Sequence, residues 1–212
     1  LNCRYVIMPG ANRFEALVTP DSIDLMAAMR NGCKLVVLDP RFTKTAALAH
    51  EWFAIRPGTD MAFCLALSHV MIAEGLYDKK FVAEKTFGFE RFSEHVRACT
   101  PEWAERETGI PAGDIRRLAR ELAAQAPAAM IYPGRRSSDY RDSTQIRRAF
   151  AIVNVLLGNW DREGGLLRVR NFYGTMSVKE RFPEKPEWRG LALYHGRTLH
   201  GFEHTLPAMR GR

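Results

Sequence analysis

Lys34-Leu35-Val36-Val37-Leu38-Asp39-Pro40-Arg41-Phe42-Thr43-Lys44-Thr45-Ala46 is the stretch on which the fold turns. Its first five residues form a short run dominated by apolar, partly β-branched side chains, the pattern of a strand buried on both faces. Asp39-Pro40 stops that run with turn chemistry, and Thr43 or Thr45 supplies a cap for a short helix reaching His50. Upstream, 4–8 is a second such strand, ending in the tight Pro9-Gly10-Ala11-Asn12 loop. Between the two strands, Thr19-Pro20 opens a helix that Asn31-Gly32 closes. Strand, helix and strand in this order make a right-handed βαβ unit with a parallel sheet.

Downstream the pattern continues. Residues 53–56 read as a brief extended piece, and Pro57-Gly58-Thr59-Asp60 as the entry to a strong helix that runs to Ala73. Short helices are expected over 78–97, with Asp78 as a cap, then at 102–107 after Thr100-Pro101, and over 111–125. A further strand follows at 128–132, a polar loop from Pro133 to Asp139, and a long helix over 143–157. The fold class is therefore α/β: a parallel sheet flanked by helices, a Rossmann-like dinucleotide-binding region over 1–165. Residues 166–212, rich in Gly, Pro, Arg and aromatics, lack caps and sustained alternation. They are expected to form an irregular extension that packs on other domains of a longer protein.

Composition excludes several classes. At 212 residues and 46% hydrophobic content the chain can bury a sizeable core. It contains no apolar run near the roughly 18 residues that a membrane span requires. Leu1 leads straight into a strand-like run with no signal sequence, so an internal piece of a longer protein is expected. A net charge of +7 and a pI near 9.5 raise nucleic-acid binding as a reading. The arginines lie mainly in the second half without a nucleic-acid motif around them, and a solvated face or a phosphate cradle accounts for them equally; no nucleic-acid partner is expected.

No metal site is expected. Cys3, Cys33, Cys64 and Cys99 are spread along the chain without a C-x-x-C pair and read as buried structural thiols. His200 and His204 have i, i+4 spacing, which would suit a metal only on a helix, and Gly201 argues against one there. His69 reads as a satisfied helix residue.

The polar loops fall where an open parallel sheet binds ligands, outside the carboxyl ends of its strands. Glycines at 10, 58 and 134 let main-chain amides approach a phosphate. Arg41, Arg135 and Arg136 can pair with one, and Asp39 or Asp60 can accept from ribose hydroxyls or from the N–H donors of guanine. Neither a G-x-G-x-x-G fingerprint nor a G-x-x-x-x-G-K-[ST] loop is present. Each loop alone is also ordinary turn chemistry; their ordered recurrence is the signal.

Taken in order, Pro9-Gly10-Ala11-Asn12-Arg13-Phe14-Glu15, Val36 through Ala46 with Glu51-Trp52, Ile55-Arg56-Pro57-Gly58-Thr59-Asp60, Tyr132-Pro133-Gly134-Arg135-Arg136 and Gly158-Asn159-Trp160-Asp161-Arg162-Glu163-Gly164-Gly165 resemble the dimethyl sulfoxide reductase superfamily of molybdopterin oxidoreductases. Within it they are similar to thiosulfate and polysulfide reductase catalytic subunits. The resemblance implies a bis(molybdopterin guanine dinucleotide) molybdenum cofactor. Gly10, Asn12 and Glu15 would lie along a dinucleotide arm, and Asp39, Arg41, Gly58 and Asp60 would surround its ribose and guanine. Gly134 and Arg135 would face the pterin, with Arg135 or Arg136 meeting an anionic substrate.

The resemblance further implies reduction of thiosulfate or polysulfide in anaerobic respiration, with arsenate or another oxyanion as alternatives. It implies an iron–sulfur cluster only in an amino-terminal part beyond this sequence, an iron–sulfur electron-transfer subunit, a membrane-anchor subunit and a periplasmic location. Isolated, these residues would be inactive. A stand-alone, non-catalytic nucleotide-binding module is the alternative that the α/β pattern alone would satisfy. His50 stands where the superfamily usually has an acid, and only local consequences are expected.

Overall fold

The computed structural model describes residues 2–16, 21–134, 140, 142–160, 162 and 165, and the strand backbones at 170–171, 174–181, 190–195 and 198–204. Two compact units divide the chain, Leu1–Leu167 and Arg168–Arg212.

The first unit is built on strands β1 (Tyr5–Pro9), β2 (Lys34–Leu38), β3 (Glu51–Phe53) and β4 (Ala129–Ile131), in the order β3-β2-β1-β4. All three pairings are parallel, with Tyr5 opposite both Lys34 and Ala129. Helix α1 (Asp21–Arg30) links β1 to β2, and α2 (Lys44–Leu48) links β2 to β3. The return to β4 passes through α3 (Asp60–Ala73), α4 (Lys79–Lys85), α5 (Phe89–His95), a 3-10 turn (Val96–Ala98), α6 (Pro101–Thr108) and α7 (Ala112–Ala124). Helix α8 (Ser143–Leu156) follows β4.

Alternation along β1 and β2 sends side chains into two separate apolar layers. Tyr5, Ile7, Val36 and Leu38 join Phe63, Leu67, Leu118 and Val153 in the layer built by α3, α7 and α8. Val6, Met8, Leu35 and Val37 join Leu25, Ala28 and Ala46 of α1 and α2. Both faces are covered, which is why these strands read as continuous apolar runs. Helix α3 is the hub of the first layer, packed against α6, α7 and α8.

Capping follows the sequence. Thr43 rather than Thr45 caps α2, accepting from Ala46 N at 3.2 Å. Asp78 caps α4 and Thr100 caps α6. Thr19-Pro20 lies outside the described residues. His69 Nδ1 lies 2.9 Å from Val96 O, so this imidazole serves the fold.

Two elements differ from the sequence reading. The third strand of the sheet is Glu51–Phe53 and not 53–56, because the chain turns directly after it: Ile55 N–H donates to Phe53 O at 2.9 Å, and Arg56 N–H leaves the sheet for Thr108 O at 2.9 Å. Of residues 166–212, expected as an irregular extension, those that are described form strands. Strands β5 (Arg170–Asn171), β6 (Gly174–Arg181), β7 (Gly190–His195) and β8 (Thr198–His204) form an antiparallel sheet in sequential order. Main-chain bonds hold such a ladder whatever the side-chain alternation, and that alternation was the only signal available to the sequence reading. His200 and His204 both lie in β8, where four residues span about 13 Å, so the helical ligand spacing does not apply.

The Gly158-Asn159 turn also gains a structural role. Asn159, fully buried, donates through Nδ2 to Ala129 O at 2.6 Å and to Asn154 Oδ1 at 2.9 Å. Asn154 accepts from Ile131 N–H and donates to Ile131 O. Two buried amides thus stand in for a neighbouring strand along the outer edge of β4.

Candidate functional site

At the carboxyl end of β2, Asp39 is fastened by its main chain. Its N–H donates to Phe53 O at 3.2 Å, and its carbonyl accepts from Trp52 Nε1 at 2.9 Å. The Trp52 indole is itself braced edge-on by Phe42, with ring centroids 5.0 Å apart. One Asp39 carboxylate oxygen accepts from Arg41 N–H at 2.9 Å, which bends the chain through Pro40 and carries Arg41 to the surface. The carboxylate group is held in place from behind and remains available in front.

Asp60, the first residue of α3, faces the same space. Gly58, at a φ of +82°, makes the turn that delivers it, and a Cβ there would also stand 3.5 Å from the Tyr140 ring. Thr59 Oγ1 donates to Arg56 O at 2.8 Å instead of capping the helix. Asp60 is 5% exposed, and among the described residues no cation pairs with it. Burial pushes its carboxyl up to about 6; the charge of Asp39 adds to this, and a hydrogen bond from its own main chain opposes it.

The remaining wall comes from the loops after β1 and β4, on either side of the point where the strand order reverses. Gly134 N–H donates to Pro9 O at 2.7 Å, and Gly10 N–H to Leu38 O at 2.9 Å. A Cβ on Gly134 would stand 2.0 Å from Gly10 O, so the two loops meet main chain to main chain and only glycine fits. What stays open is a cleft of about 370 Å³ between β2 and α3. Gly10, Asp39, Pro40, Arg41, Pro57 and Asp60 line it, with Leu38, Ile55 and Tyr140 as its apolar surfaces.

The structure therefore brings together Gly10, Asp39, Arg41 and Asp60, with Gly58 shaping the turn beneath Tyr140. Asn12 and Glu15 are not brought to the cleft. Asn12 Oδ1 accepts from Thr45 Oγ1 at 2.9 Å and from Thr45 N–H, and its Nδ2 donates to Glu15. Glu15 is exposed beside Lys44 at 3.4 Å, its carboxyl held low by the Asn12 hydrogen bond and by Lys44. Both residues brace the first loop against α2. Gly134 acts by letting the loops touch, and Arg135 and Arg136 lie outside the described residues.

Ile55 and Tyr140 were missed from sequence. Ile55 looks like any core residue, and Tyr140 sits in a polar loop with no motif around it. His50 shows a local role: its Nδ1 accepts from Leu35 N–H at 3.0 Å, while its main-chain N–H donates to Leu35 O at 2.9 Å.

Two carboxylates, an arginine and apolar walls suit a planar ligand that offers N–H and O–H donors and carries negative charge nearby. Among the described lining residues the groups able to bond a ligand are the two carboxylates, the Arg41 guanidinium and the Tyr140 hydroxyl. A parallel sheet carrying such a cleft at the carboxyl ends of its strands defines a Rossmann-like ligand-binding domain.

Residues 2–197 match the molybdopterin oxidoreductase family. The thiosulfate reductase molybdopterin-containing subunit PhsA of Salmonella typhimurium is 45% identical over 170 residues, covering 80% of this chain and 22% of that protein. Acetylene hydratase of Syntrophotalea acetylenica is 41% identical over 138 residues, covering 65% and 19%. The solved structure of acetylene hydratase from Pelobacter acetylenicus superposes with a TM-score of 0.71 at 34% identity, covering 82% of this chain and 23% of that one. The chain belongs to the molybdopterin oxidoreductase family, within the dimethyl sulfoxide reductase superfamily. It spans about a fifth of the length of the relatives it matches.

Proposed function

We propose that the cleft between β2 and α3 holds the guanine dinucleotide arm of a bis(molybdopterin guanine dinucleotide) molybdenum cofactor, and that the whole protein reduces thiosulfate or polysulfide. Asp60 is the observation that carries the cofactor half. A carboxylate buried without a cation is costly unless a ligand supplies its donors, and guanine offers two adjacent N–H groups. Asp39, one residue beyond β2, is placed to accept from ribose hydroxyls, and Arg41 at the rim to meet phosphate. Apart from the cofactor's own carriage of electron pairs, what these residues supply is binding and orientation.

The 45% identity to PhsA supports thiosulfate as the substrate, with polysulfide as a neighbouring sulfur acceptor. The remaining domains of a longer chain, an iron–sulfur electron-transfer subunit, a membrane anchor and a periplasmic site of action complete the proposal. The iron–sulfur cluster would sit outside these residues.

The cofactor half is tested by calorimetric titration of the chain with GDP and ADP at pH 7.5. Weak binding that favours GDP is expected, and Asp60→Asn should weaken it by roughly 10-fold to 100-fold, the loss of about 1.5–3 kcal/mol for hydrogen bonds to a charged group. Equal affinity for the two nucleotides, or unchanged binding in the variant, removes guanine from this cleft. The substrate half is tested by adding thiosulfate, polysulfide or arsenate to the reduced full-length protein. Reoxidation by arsenate alone would replace the sulfur assignment.

A further inference from the structure

Cys3 and Cys33 are about thirty residues apart in sequence, but the parallel crossover makes them neighbours. Tyr5 is opposite Lys34, and Lys34 N–H donates to Arg4 O at 2.8 Å, so the ladder runs one step beyond the strands. The two cysteines then stand diagonally across the starts of β1 and β2. A strand spacing of about 4.8 Å and a rise of about 3.3 Å put their Cα atoms roughly 6 Å apart. That lies inside the range of about 4.4–6.8 Å that a disulfide spans.

Their side chains share one side of the sheet: Cys3 packs on the apolar cluster that contains Cys33. Each thiol is the largest influence on the titration of the other. Cys3 Sγ also lies 3.4 Å from the carbonyls of Tyr5 and Ala128, and Cys33 Sγ 3.7 Å from that of Lys34. The pair is asymmetric. Cys3 is partly exposed and Cys33 is fully buried. The hydrogen bond from Cys33, against the effect of burial, holds the Cys3 thiol below the usual thiol range, while that same bond and burial push Cys33 up. Cys64 and Cys99 are buried elsewhere, and neither has a cysteine as hydrogen-bond partner among the described residues.

We propose that Cys3 and Cys33 form a redox-active dithiol that exchanges with small disulfides, with Cys3 as the attacking sulfur and Cys33 as the resolving one. The Cys3 thiolate attacks an external disulfide R–S–S–R, forms Cys3–S–S–R and releases one R–SH after protonation. Cys33 then gives up its proton, attacks Cys3 Sγ and releases the second R–SH. The two thiols are oxidised, the external disulfide is reduced, and two electrons and two protons leave with the two R–SH molecules. The product staples the starts of β1 and β2, at the end of the sheet opposite the cleft.

The test treats the reduced full chain with oxidised glutathione, quenches it with an alkylating agent, and maps disulfides by mass spectrometry after non-reducing digestion. A Cys3–Cys33 cross-link is expected, with Cys64 and Cys99 recovered alkylated or unreacted. In Cys33→Ala a glutathione adduct should accumulate on Cys3. In Cys3→Ala, Cys33 should react at least about 10-fold more slowly, since a buried, protonated thiol is a poor nucleophile. The absence of both adduct and cross-link in the wild type, or an adduct on Cys3 that persists there, overturns the proposal. So does Cys33 reacting at the wild-type rate in Cys3→Ala. Should either variant fail to fold, the identity of the wild-type cross-link decides.

Discussion

At the amino-terminal end of the sheet, Lys34 Nζ lies 2.5 Å from Glu51 and 2.7 Å from Glu121, and Arg117 pairs with Glu51, Asp114 and Glu121. At the carboxyl end, Asp60 faces Asp39 with no described cation paired to it. The same chemical group, a carboxylate, therefore titrates in opposite directions at the two ends. Burial works against the Glu121 carboxylate, yet hydrogen bonds from Lys34, Tyr5 and Arg117 hold it down at about 2. Asp60 is pushed up to about 6. One end of the sheet satisfies its own charge, while the other leaves carboxylate acceptors open in the cleft, where the proposed ligand would meet them.

The strongest way to break this contrast is Gly134→Ala. A methyl group 2.0 Å from Gly10 O must part the two loops that wall the cleft, at a cost of about 3 kcal/mol, the upper range for overpacking, because main chain must move. Urea unfolding measures this. A near-neutral result would show that the loops are not pressed together.

Asp60→Asn sharpens the contrast from the ligand side. The folded-state value of about 6 lies above the unfolded one, so the folded chain binds more protons between roughly pH 4 and 6 and loses stability as pH rises through that window. Removing the charge should stabilise the ligand-free chain by about 3 kcal/mol at pH 7.5 and flatten its pH dependence between roughly pH 4 and 6, even as the proposed nucleotide binding weakens. A destabilised variant would mean that Asp60 is satisfied by the fold itself.

Arg117→Met should have the smallest effect, destabilising by about 1 kcal/mol because the guanidinium is partly exposed and screened. Glu51 and Glu121 have lowered values, so their contribution is present above about pH 4.5 and fades as pH falls toward 2. Acid titration monitored by circular dichroism should show a shallower loss in the variant. An unchanged acid limb would remove this network from the stability of the sheet.

Legibility in sequence followed the range of the physics. Buried runs and caps are local, so β1, β2, α3, α7 and α8 could be read directly, as could Asp39 and Asp60 at element boundaries. Glu51–Phe53 could not, because its polar first residue belongs in the sheet only through Arg117 and Lys34, which come from elsewhere in the chain. Thr45 engages Asn12 and Lys44 engages Glu15, contacts between loops that no local motif announces. The βαβ unit brings Cys3 and Cys33, each just ahead of one strand, to the same end of a parallel pair; that both side chains turn to one face of the sheet was not visible in the sequence.

The order β3-β2-β1-β4 has a further consequence, for how the molecule is made. β1, β2 and β3 lie within about fifty residues of one another and can pair early, but β4 is made more than a hundred residues after β1. Until then β1, a central strand in the finished sheet, is an edge strand with a free row of amides and carbonyls, open to pairing with another nascent chain. Such long-range closure is intrinsically slow. The buried amides of Asn154 and Asn159, arriving soon after β4, secure that strand once it is in place, so a chain that stops short of them would leave β4 unfastened and β1 exposed.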